Sequence, residues 1–431
     1  MARVVSGVGY GLGSVGIILL ILLALVCEAM EVPTNYGGLV TTKGTHFLLD
    51  GSPFYFNGFN SYWMMHVAAQ PTERDKVTQV FREAAGAGLT VCRTWAFSDG
   101  GDEALQISPG VYNEYVFQAL DFVIYEARKY GIRLILSFVN NYSDFGGRAQ
   151  YVKWARDAGI QINSDDDFYT HSILKKYYKN HVKRVITRCN TITGTLYKDD
   201  PTIMAWELIN EPRCQIDYSG RTIYAWVQEM AAYVKSLDNK HLLEVGMEGF
   251  YGDSTPDREQ VNPGYQVGTD FITNNIISEI DFTTIHAYPD TWLSGKDDDS
   301  QMAFMNKWVE SHWADSKRLL RKPMIIAEFG KSSKDPKYST NKRDSFMRTV
   351  YEMIDKLVKS GGTIGGSLVW QLMAAGMEPY HDGYEIILSE NLSTNEVISM
   401  QSSQMAGLSH LVMKAATEDT GADRDRDRDI R

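Results

Sequence analysis

Short, continuous apolar runs alternate along the chain with longer segments in which apolar residues recur at helical spacing. A run that is apolar at every position is typical of a strand buried on both faces, as in a parallel sheet covered by helices. Eight such runs predict strands at residues 54–59, 89–95, 132–139, 203–209, 242–247, 282–288, 324–329 and 364–370. The periodic segments predict helices at residues 72–87, 114–130, 168–188, 221–237, 301–320, 342–359 and 397–413.

This alternation predicts a single α/β domain. Parallel strands need crossover connections, and eight strand–helix units are the number that closes a (β/α)8 TIM barrel. A doubly wound open sheet is the alternative, but no G-x-G-x-x-G sequence follows the first strand, which disfavours it. Before the barrel, residues 38–53 predict a small N-terminal β-hairpin with Asp50-Gly51 at its turn.

The beginning of the chain differs in character from the rest. Residues 17–26 (IILLILLALV) are densely apolar, and after Arg3 no charged residue occurs before Glu28. With the small residues near Ala29, this pattern predicts a secretory signal peptide over residues 1–29. An uncleaved membrane anchor is the alternative, since about 20 apolar residues span a bilayer. Several glycines in the first half and the short apolar core favour cleavage.

The end of the chain is strongly charged. Acidic and basic residues alternate within residues 416–431 with almost nothing to bury, which predicts a disordered tail. Residues 30–415 then form the barrel domain. The formal net charge of −11 argues against a nucleic-acid partner and provides no basic patch for an anionic membrane surface. No stable membrane association is expected once the signal is removed.

The cysteines give no indication of a metal site. Cys27 falls within the predicted signal peptide, and the other three form no C-x-x-C or Cys/His cluster. Cys189 and Cys214 flank the strand predicted at residues 203–209, so that about 23 Å of extended chain separates them. That distance exceeds the reach of a disulfide, and we predict that they do not pair.

Polar and aromatic residues stand where the predicted strands end. In barrels of this kind, function lies at the carboxyl ends of the strands, which all face one rim. Residues that are distant in sequence therefore converge there. In chain order the candidate site residues are Arg93, Trp95, Asn210, Glu211, His286, Tyr288, Glu328 and Trp370.

Two of these residues, Glu211 and Glu328, suit the hydrolysis of a glycosidic bond. One carboxyl must stay protonated to serve the leaving oxygen, and the other must stay ionised to attack the anomeric carbon. Arg93 and Tyr288 are suitable donors to the ionised carboxylate, and Trp370 offers a flat apolar face for a sugar ring. A single Glu at a strand end is more commonly a helix cap or ion-pair partner. The hypothesis therefore depends on convergence at one rim.

Five stretches of the sequence, in this order, resemble glycoside hydrolase family 5, and within it the plant endo-β-1,4-mannanases. They are VCRTWAFSDG, WELINEPRC, TTIHAYPDTWL, PMIIAEFGKS and SLVWQLMAAGM. The tripeptide N-E-P recurs through a wider clan of barrel glycosidases, whereas the ordered set is specific. The resemblance extends from about residue 37 to about residue 411, which makes residues 30–415 the expected catalytic domain.

The resemblance implies a role for each carboxylate. Glu211 would be the acid/base and Glu328 the nucleophile of a retaining double displacement through a covalent glycosyl-enzyme. In such enzymes the two carboxyls lie about 5–5.5 Å apart. No cofactor and no metal are implied. The substrate would be mannan, glucomannan or galactomannan, cut internally in an open cleft.

The resemblance also implies supporting roles around the two carboxylates. Asn210 would contact the 2-hydroxyl of the sugar at the cleavage point, and Arg93 and Tyr288 would support the nucleophile. His286 would line the subsite near the acid/base. Trp370 would be the platform of the −1 subsite.

We therefore expect a secreted, retaining endo-β-1,4-mannanase of the plant cell wall. A mannan transglycosylase would use the same residues and replace water by another sugar. A β-1,4-glucanase fits the motifs less well, and a non-catalytic wall-polysaccharide-binding barrel would be expected to lack one of the two Glu residues. Of the two glycosylation sequons, Asn141 follows the third strand on the functional rim, where a glycan would crowd the cleft. Asn391 is the predicted glycosylation site.

Overall fold

Eight parallel strands form one sheet in the computed structural model, which describes residues 37–426 and the side chains of residues 37–409. They are β1 (Phe56–Asn60), β2 (Val91–Trp95), β3 (Arg133–Ser137), β4 (Ile203–Glu207), β5 (Leu242–Glu244), β6 (Thr283–Ala287), β7 (Met324–Phe329) and β8 (Ile364–Val369). Their hydrogen-bonded order is β5-β4-β3-β2-β1-β8-β7-β6. All neighbouring pairs in this order are parallel.

Two backbone hydrogen bonds connect the ends of this order. The N–H of Asp281 donates to the carbonyl of Leu243 at 2.8 Å, and that of His286 donates to the carbonyl of Glu248 at 2.9 Å. These bonds bring β5 and β6 together and close the sheet into a barrel. The predicted (β/α)8 fold is thereby confirmed.

Helices surround the barrel. The main ones are α1 (Arg74–Gly86), α2 (Glu114–Lys129), α3 (Ser172–Ile186), α4 (Arg221–Leu237), α5 (Phe271–Ile276), α6 (Asp298–Asp315), α7 (Thr340–Lys359) and α8 (Leu392–Arg426). Further α-helices lie in the connections at Met64–Ala68, Gly147–Asp157, Asp167–Thr170, Pro256–Glu259 and Pro289–Trp292. Single turns of other helix types occur at Pro71–Glu73, Tyr197–Asp199, Ser316–Leu320 and Glu378–Tyr380.

Several helices differ from the predicted ones. The helix predicted at residues 168–188 is divided at His171, whose extended backbone ends one helix and whose side chain caps α3 by accepting from the N–H of Ile173. The short α5 was not predicted, and Asp270 starts it by accepting from two backbone N–H groups. Acidic residues in its first turn extend α6 back to Asp298.

The last helix, α8, is longer than predicted. It continues past residue 413 to Arg426 and so enters the segment for which disorder was expected. In sequence, Asp423 and Arg426 stand three positions apart, a spacing of opposite charges that supports a helix. Residues 427–431 lie outside the described residues, as does the signal peptide predicted at residues 1–29. Within residues 37–426, none of the helices combines the length and apolar character of a membrane span.

The N-terminal end of the barrel is sealed by the predicted hairpin. The predicted turn at Asp50-Gly51 joins His46–Leu49 to Ser52–Pro53, and a further strand, Val40–Lys43, pairs antiparallel with His46–Leu49. Phe47 packs into the barrel, with its ring centroid 5.3 Å from that of Phe282. A Cβ on Gly365 of β8 would lie 2.2 Å from the Phe47 ring, so this contact requires glycine. The candidate site residues lie at the opposite end of the barrel, where the strands terminate.

The cysteines of the described region are unpaired. Cys92 and Cys214 are buried, and Cys189 is exposed. The prediction that Cys189 and Cys214 do not form a disulfide is therefore confirmed.

Candidate active site

A cavity of about 440 Å³ opens at the carboxyl ends of the barrel strands. Six of the predicted site residues line it: Trp95, Asn210, Glu211, Tyr288, Glu328 and Trp370. Arg93 and His286 are buried and contact its carboxylates. The structure thus brings together the residues that the strand ends predicted.

The two candidate carboxylates face each other across this cavity. One oxygen of Glu211, one of Glu328 and a ring nitrogen of His286 all lie within 4.8 Å of one another. Nδ1 of His286 is 2.6 Å from Oε1 of Glu211 and 3.4 Å from Oε2 of Glu328. The two carboxylates are therefore neighbours on either side of the His286 ring nitrogen.

Glu211 is placed by an unusual backbone. Its φ of 49° lies in the left-handed region, which is uncommon for a residue with a side chain. Its N–H donates to the carbonyl of Gly246 at 2.8 Å. Gly246 itself has a φ of 95°, and a Cβ there would lie 1.9 Å from the carbonyl oxygen of Ile209. The chain after β5 thus passes close to residues 209–211, and Glu211 points into the cavity. Left-handed backbone at a residue with a side chain is typical of functional sites.

Arg93 donates hydrogen bonds to several side chains of the site. Its Nη1 donates to Oε1 of Glu328 at 2.5 Å, and its Nη2 donates to Oδ1 of Asn210 at 2.7 Å. The other edge of the guanidinium bonds Glu207 through Nε at 2.5 Å and Nη2 at 2.8 Å. Burial by itself lowers the pKa of Arg93, but the charges of Glu207 and Glu328 outweigh it and the pKa is raised. Arg93 therefore remains a fixed cation.

Glu207 was missed by the sequence analysis, which considered only residues at or beyond the strand ends. The available signal was a charged residue inside the apolar run IMAWELI. Its side chain is fully buried. Arg93 thus pairs with a buried acid as well as with the predicted partner, Glu328.

Glu328 accepts a second hydrogen bond on its other oxygen. The hydroxyl of Tyr288 donates to Oε2 at 2.6 Å. Burial raises the pKa of Glu328, and the nearby charge of Glu211 raises it further, whereas His286, Arg93 and this hydroxyl lower it. Burial also raises the pKa of Tyr288, so its hydroxyl stays a donor.

The hydrogen-bond donors determine which carboxyl holds a proton. Burial raises the pKa of Glu211, opposed by the charge of Arg213 and the hydroxyl of Tyr142. Burial lowers the pKa of His286, so the ring beside Glu211 is neutral. Because a guanidinium only donates, Oε1 of Glu328 has to accept. Of the two carboxyls, Glu328 is therefore better stabilised as the anion by its two donors, and Glu211 is better suited to hold a proton.

Trp370 is held from two sides. Its ring is stacked on that of Tyr62, with centroids 5.6 Å apart and planes 9° from parallel. Its Nε1 donates to Oδ2 of Asp382 at 2.6 Å. Trp95 lies nearby with its ring centroid 6.4 Å away. Tyr62 and Asp382 were not among the predicted residues, since neither belongs to a strand-end motif.

An ion pair lines the cavity on the Glu211 side. Arg213 donates to both oxygens of Glu248, through Nε at 2.8 Å and Nη2 at 2.6 Å. Burial, followed by the charge of Glu211, raises the pKa of Glu248 to about 7 despite this pair. Both residues were missed, although Arg213 lies two positions after Glu211 in the quoted motif. The cleft therefore contains a carboxyl with a raised pKa in addition to Glu211 and Glu328.

Glu211, His286 and Glu328 together offer ligand atoms close enough for a cation. However, each oxygen of Glu328 already accepts a hydrogen bond, and the Arg93 guanidinium contacts it directly. A fixed cation at this point opposes the binding of a metal cation. The arrangement suits proton transfer and nucleophilic attack better than metal binding.

The two sequon asparagines differ in their surroundings. Asn141 is buried, and its Oδ1 accepts from the backbone N–H of Arg213 at 3.1 Å. Its burial disfavours a glycan there, and the expectation that Asn141 is not glycosylated stays a prediction. Asn391 stands at the partly exposed start of α8. Its glycosylation stays a prediction.

Comparisons with known proteins agree with this geometry. A family model described as GH family 5 beta-mannosidase-like matches residues 38–384. The chain is 68% identical over 400 residues to mannan endo-1,4-beta-mannosidase 5 of Solanum lycopersicum, covering 92% of this chain and 97% of the relative. It is 58% identical over 382 residues to mannan endo-1,4-beta-mannosidase 1 of Oryza sativa subsp. japonica, covering 88% of each.

Solved structures are similar as well. The endo-beta-1,4-mannanase from Thermotoga petrophila superposes with a TM-score of 0.70 at 32% identity, covering 82% of this chain and 77% of that one. The endo-1,4-beta-mannanase from Rhizomucor miehei gives a TM-score of 0.72 at 31% identity, covering 86% of this chain and 100% of that one.

Proposed function

The chain belongs to glycoside hydrolase family 5, and from that premise we propose that it is a secreted, retaining endo-β-1,4-mannanase. The observation that carries this proposal is the opposed pair Glu211 and Glu328. Their facing oxygens lie within 4.8 Å of each other. Retaining glycosidases need about 5–5.5 Å between carboxyls, whereas inverting enzymes need about 6.5–9.5 Å to admit water.

In the first step, Glu328 attacks the anomeric carbon of the sugar in the −1 subsite. Its ionised form is supported by donors on both oxygens, Arg93 on one and Tyr288 on the other. The glycosidic C–O bond breaks as Glu211 gives its proton to the leaving oxygen. The products are a sugar–Glu328 ester and a free chain end bearing a new hydroxyl.

In the second step, water replaces the departed chain. Glu211, now ionised, removes a proton from this water, which attacks the anomeric carbon and releases Glu328. Because Glu211 acts first as an acid and then as a base, its pKa has to be high while Glu328 is charged and to fall once that charge is lost in the ester. The mutual effect of the two carboxylates supplies this change.

The remaining residues position the sugar. Asn210 is fixed by accepting from Arg93 and by donating to Oδ1 of Asn140 at 3.0 Å, which sets its amide toward the 2-hydroxyl. Trp370 provides the platform of the −1 subsite, and His286 aligns Glu211. Trp95 packs under the arginine, with the guanidinium 4.8 Å from its ring centroid.

The substrate class we propose is β-mannan, which includes glucomannan and galactomannan. The relatives in tomato and rice are named for mannan, which supports this choice over a β-1,4-glucan. The signal pattern at residues 1–29 supports secretion to the cell wall. No cofactor takes part in either step.

Transglycosylation of mannan is the second candidate activity. Tyr142, Arg213, Glu248 and Trp292 line the cavity on the Glu211 side, where the leaving chain departs. A sugar bound there would compete with water for the glycosyl-enzyme. Longer products on addition of manno-oligosaccharides, at the expense of hydrolysis, would distinguish this activity.

The proposal is tested by incubating the mature protein with glucomannan, carboxymethylcellulose and xylan and following new reducing ends. We expect release from glucomannan alone. The Glu328→Ala variant should lose it, whereas Glu310→Gln, which removes an exposed carboxylate on α6, should retain it. Activity on cellulose would move the assignment to a glucanase, and inactivity of the folded wild-type protein on all three would refute it.

A further inference from the structure

Two buried carboxyls stand side by side beneath the catalytic arginine. Glu207 on β4 and Glu244 on β5 are register partners in the parallel sheet, and both have no exposed surface. Two ionised carboxylates at this spacing in a dry interior repel strongly, so one of them has to hold a proton. Neither residue touches the cavity, and the mechanism above assigns nothing to Glu244.

Glu207 is the ionised member. Arg93 donates to Oε2 and to Oε1 at 2.5 and 2.8 Å. Since a guanidinium has no acceptor, both oxygens of Glu207 are acceptors. Burial raises the pKa of Glu207, but the charge and hydrogen bonds of Arg93 outweigh it and the pKa is lowered.

Glu244 is the protonated member. Its Oε2 accepts from the backbone N–H of Gly246 at 2.5 Å and from the hydroxyl of Thr284 at 2.9 Å. Its Oε1 is buried without a donor, and the two carboxyl groups are within hydrogen-bonding reach of each other. Burial, followed by the charge of Glu207, raises the pKa of Glu244. A hydrogen on Oε1 turns an orphaned acceptor into a donor for Glu207.

The other titratable groups that face this pair do not change which of the two carboxyls holds the proton. Arg93 is fully engaged, and the hydroxyl of Tyr178 on α3 donates to the carbonyl of Leu208 instead of a carboxylate. The remaining groups act only through their charge, from the rim above the pair: Glu211, His286 and Glu328.

We propose that Glu244 keeps its proton throughout the reaction and donates a hydrogen bond to Glu207, and that this pair positions Arg93 against Glu328. With Glu244 neutral, one edge of the Arg93 guanidinium pairs with the charge of Glu207, and its Nη1 donates to Glu328. Were Glu244 ionised, three carboxylates would share one guanidinium. The positioning role rests on the proposed function, whereas the proton on Glu244 is a property of the fold.

The proton is tested by infrared difference spectra at neutral pH, which need no activity. Subtracting the spectrum of Glu244→Gln from that of the wild-type protein should reveal the carbonyl stretch of a protonated carboxylic acid. Glu310→Gln, which removes an exposed carboxylate, should show no such band. Absence of the band in the Glu244→Gln difference would overturn the proposal, whether or not the protein hydrolyses mannan.

The positioning role is tested by kinetics on glucomannan. Glu244→Leu removes the donor to Glu207, and we expect kcat to fall by about 100-fold through misplacement of Arg93, with KM little changed. Glu244→Gln should recover most of this loss, because its amide also donates. Circular dichroism establishes that each variant is folded.

The pH profile separates this role from a purely structural one. Glu244→Gln exchanges one neutral group for another, so both limbs of the kcat/KM profile should stay in place. Glu207→Gln removes a negative charge that raises the pKa of Glu211, so the basic limb should move to lower pH. If Glu244→Gln moved the limbs as Glu207→Gln does, Glu244 would be ionised and the proposal would be wrong.

Discussion

The hydroxyl of Tyr288 and the carboxylate of Glu328 are joined by a hydrogen bond of 2.6 Å, on the oxygen that Arg93 does not contact. Tyr288 directly follows β6 and Glu328 lies in β7, so the pairing of two neighbouring strands sets this distance. The nucleophile is thus held by donors from two different elements. Each donor stabilises its ionised form.

Removal of the Tyr288 hydroxyl should slow the reaction and move its acid limb. In Tyr288→Phe, Glu328 loses a donor to a charged group, a contribution of about 1.5–3 kcal/mol, so kcat/KM should fall about 10- to 150-fold. The hydroxyl lowers the pKa of Glu328, so its loss raises that pKa and shifts the acid limb to higher pH. Initial rates on glucomannan across pH measure both effects.

The comparator for this change is Tyr384→Phe. Tyr384 packs on Tyr288 with ring centroids 5.2 Å apart, but its hydroxyl bonds Asp290 and not Glu328. The acid limb of the pH profile of Tyr384→Phe should coincide with that of the wild-type enzyme. An unshifted acid limb in Tyr288→Phe would contradict the role given to its hydroxyl.

Glu248 should make stability depend on pH. Its pKa is raised from 4.5 to about 7 in the folded protein, so folding takes up a proton between these values. The stabilisation from this group is complete below about pH 4.5 and is lost as pH rises toward 7. The unfolding free energy of the wild-type protein should therefore decrease more steeply over this range than that of Glu248→Gln.

Chemical denaturation at several pH values measures the two slopes. Only the difference between the slopes is used, because Glu248→Gln also changes the contact with Arg213 and with it the absolute stability. Parallel slopes would mean that Glu248 is ionised throughout this range.

Gly246 should be intolerant of any side chain. In Gly246→Ala the new Cβ would lie 1.9 Å from the carbonyl oxygen of Ile209, at a φ of 95°. We expect a loss of about 2–4 kcal/mol in unfolding free energy, and displacement of Glu211, whose N–H bonds the Gly246 carbonyl.

Gly110→Ala is the matched control for backbone strain. Gly110 has a φ of 81°, but nothing lies within 4 Å of a Cβ placed there. Its loss should be limited to about 1–2 kcal/mol from the left-handed conformation, with activity retained. Equal effects of the two substitutions would show that close approach at Gly246 is unimportant. Thermal unfolding and activity on glucomannan measure both.

The barrel and its rim could be predicted from sequence because they depend on local patterns. Each apolar run marked a strand, and the polar residues after it, such as Glu211 and Tyr288, fell on one rim by the geometry of parallel strands. The short α5 escaped because six residues are too few for a periodic pattern. Its start depends on the cap at Asp270, which a propensity argument does not weigh strongly.

The interior partners required the structure. Glu207 and Glu244 meet through the pairing of β4 with β5, and Arg93 reaches Glu207 across β3. Nothing in the separate sequence stretches relates these residues. The same holds for Asp382, which fixes Trp370 from a loop after the last strand. Contacts that depend on register and loop path are not contained in a one-dimensional pattern.

Trapping the covalent intermediate tests the assignment of Glu328 most directly. A 2-fluoro mannosyl substrate with a good leaving group should react with the wild-type enzyme, and proteolysis with mass spectrometry should locate the added sugar on Glu328. Release of the leaving group should match the sugar bound, one for one. A sugar attached to Glu211 or to another residue, or turnover with inverted anomeric configuration and no adduct, would contradict it.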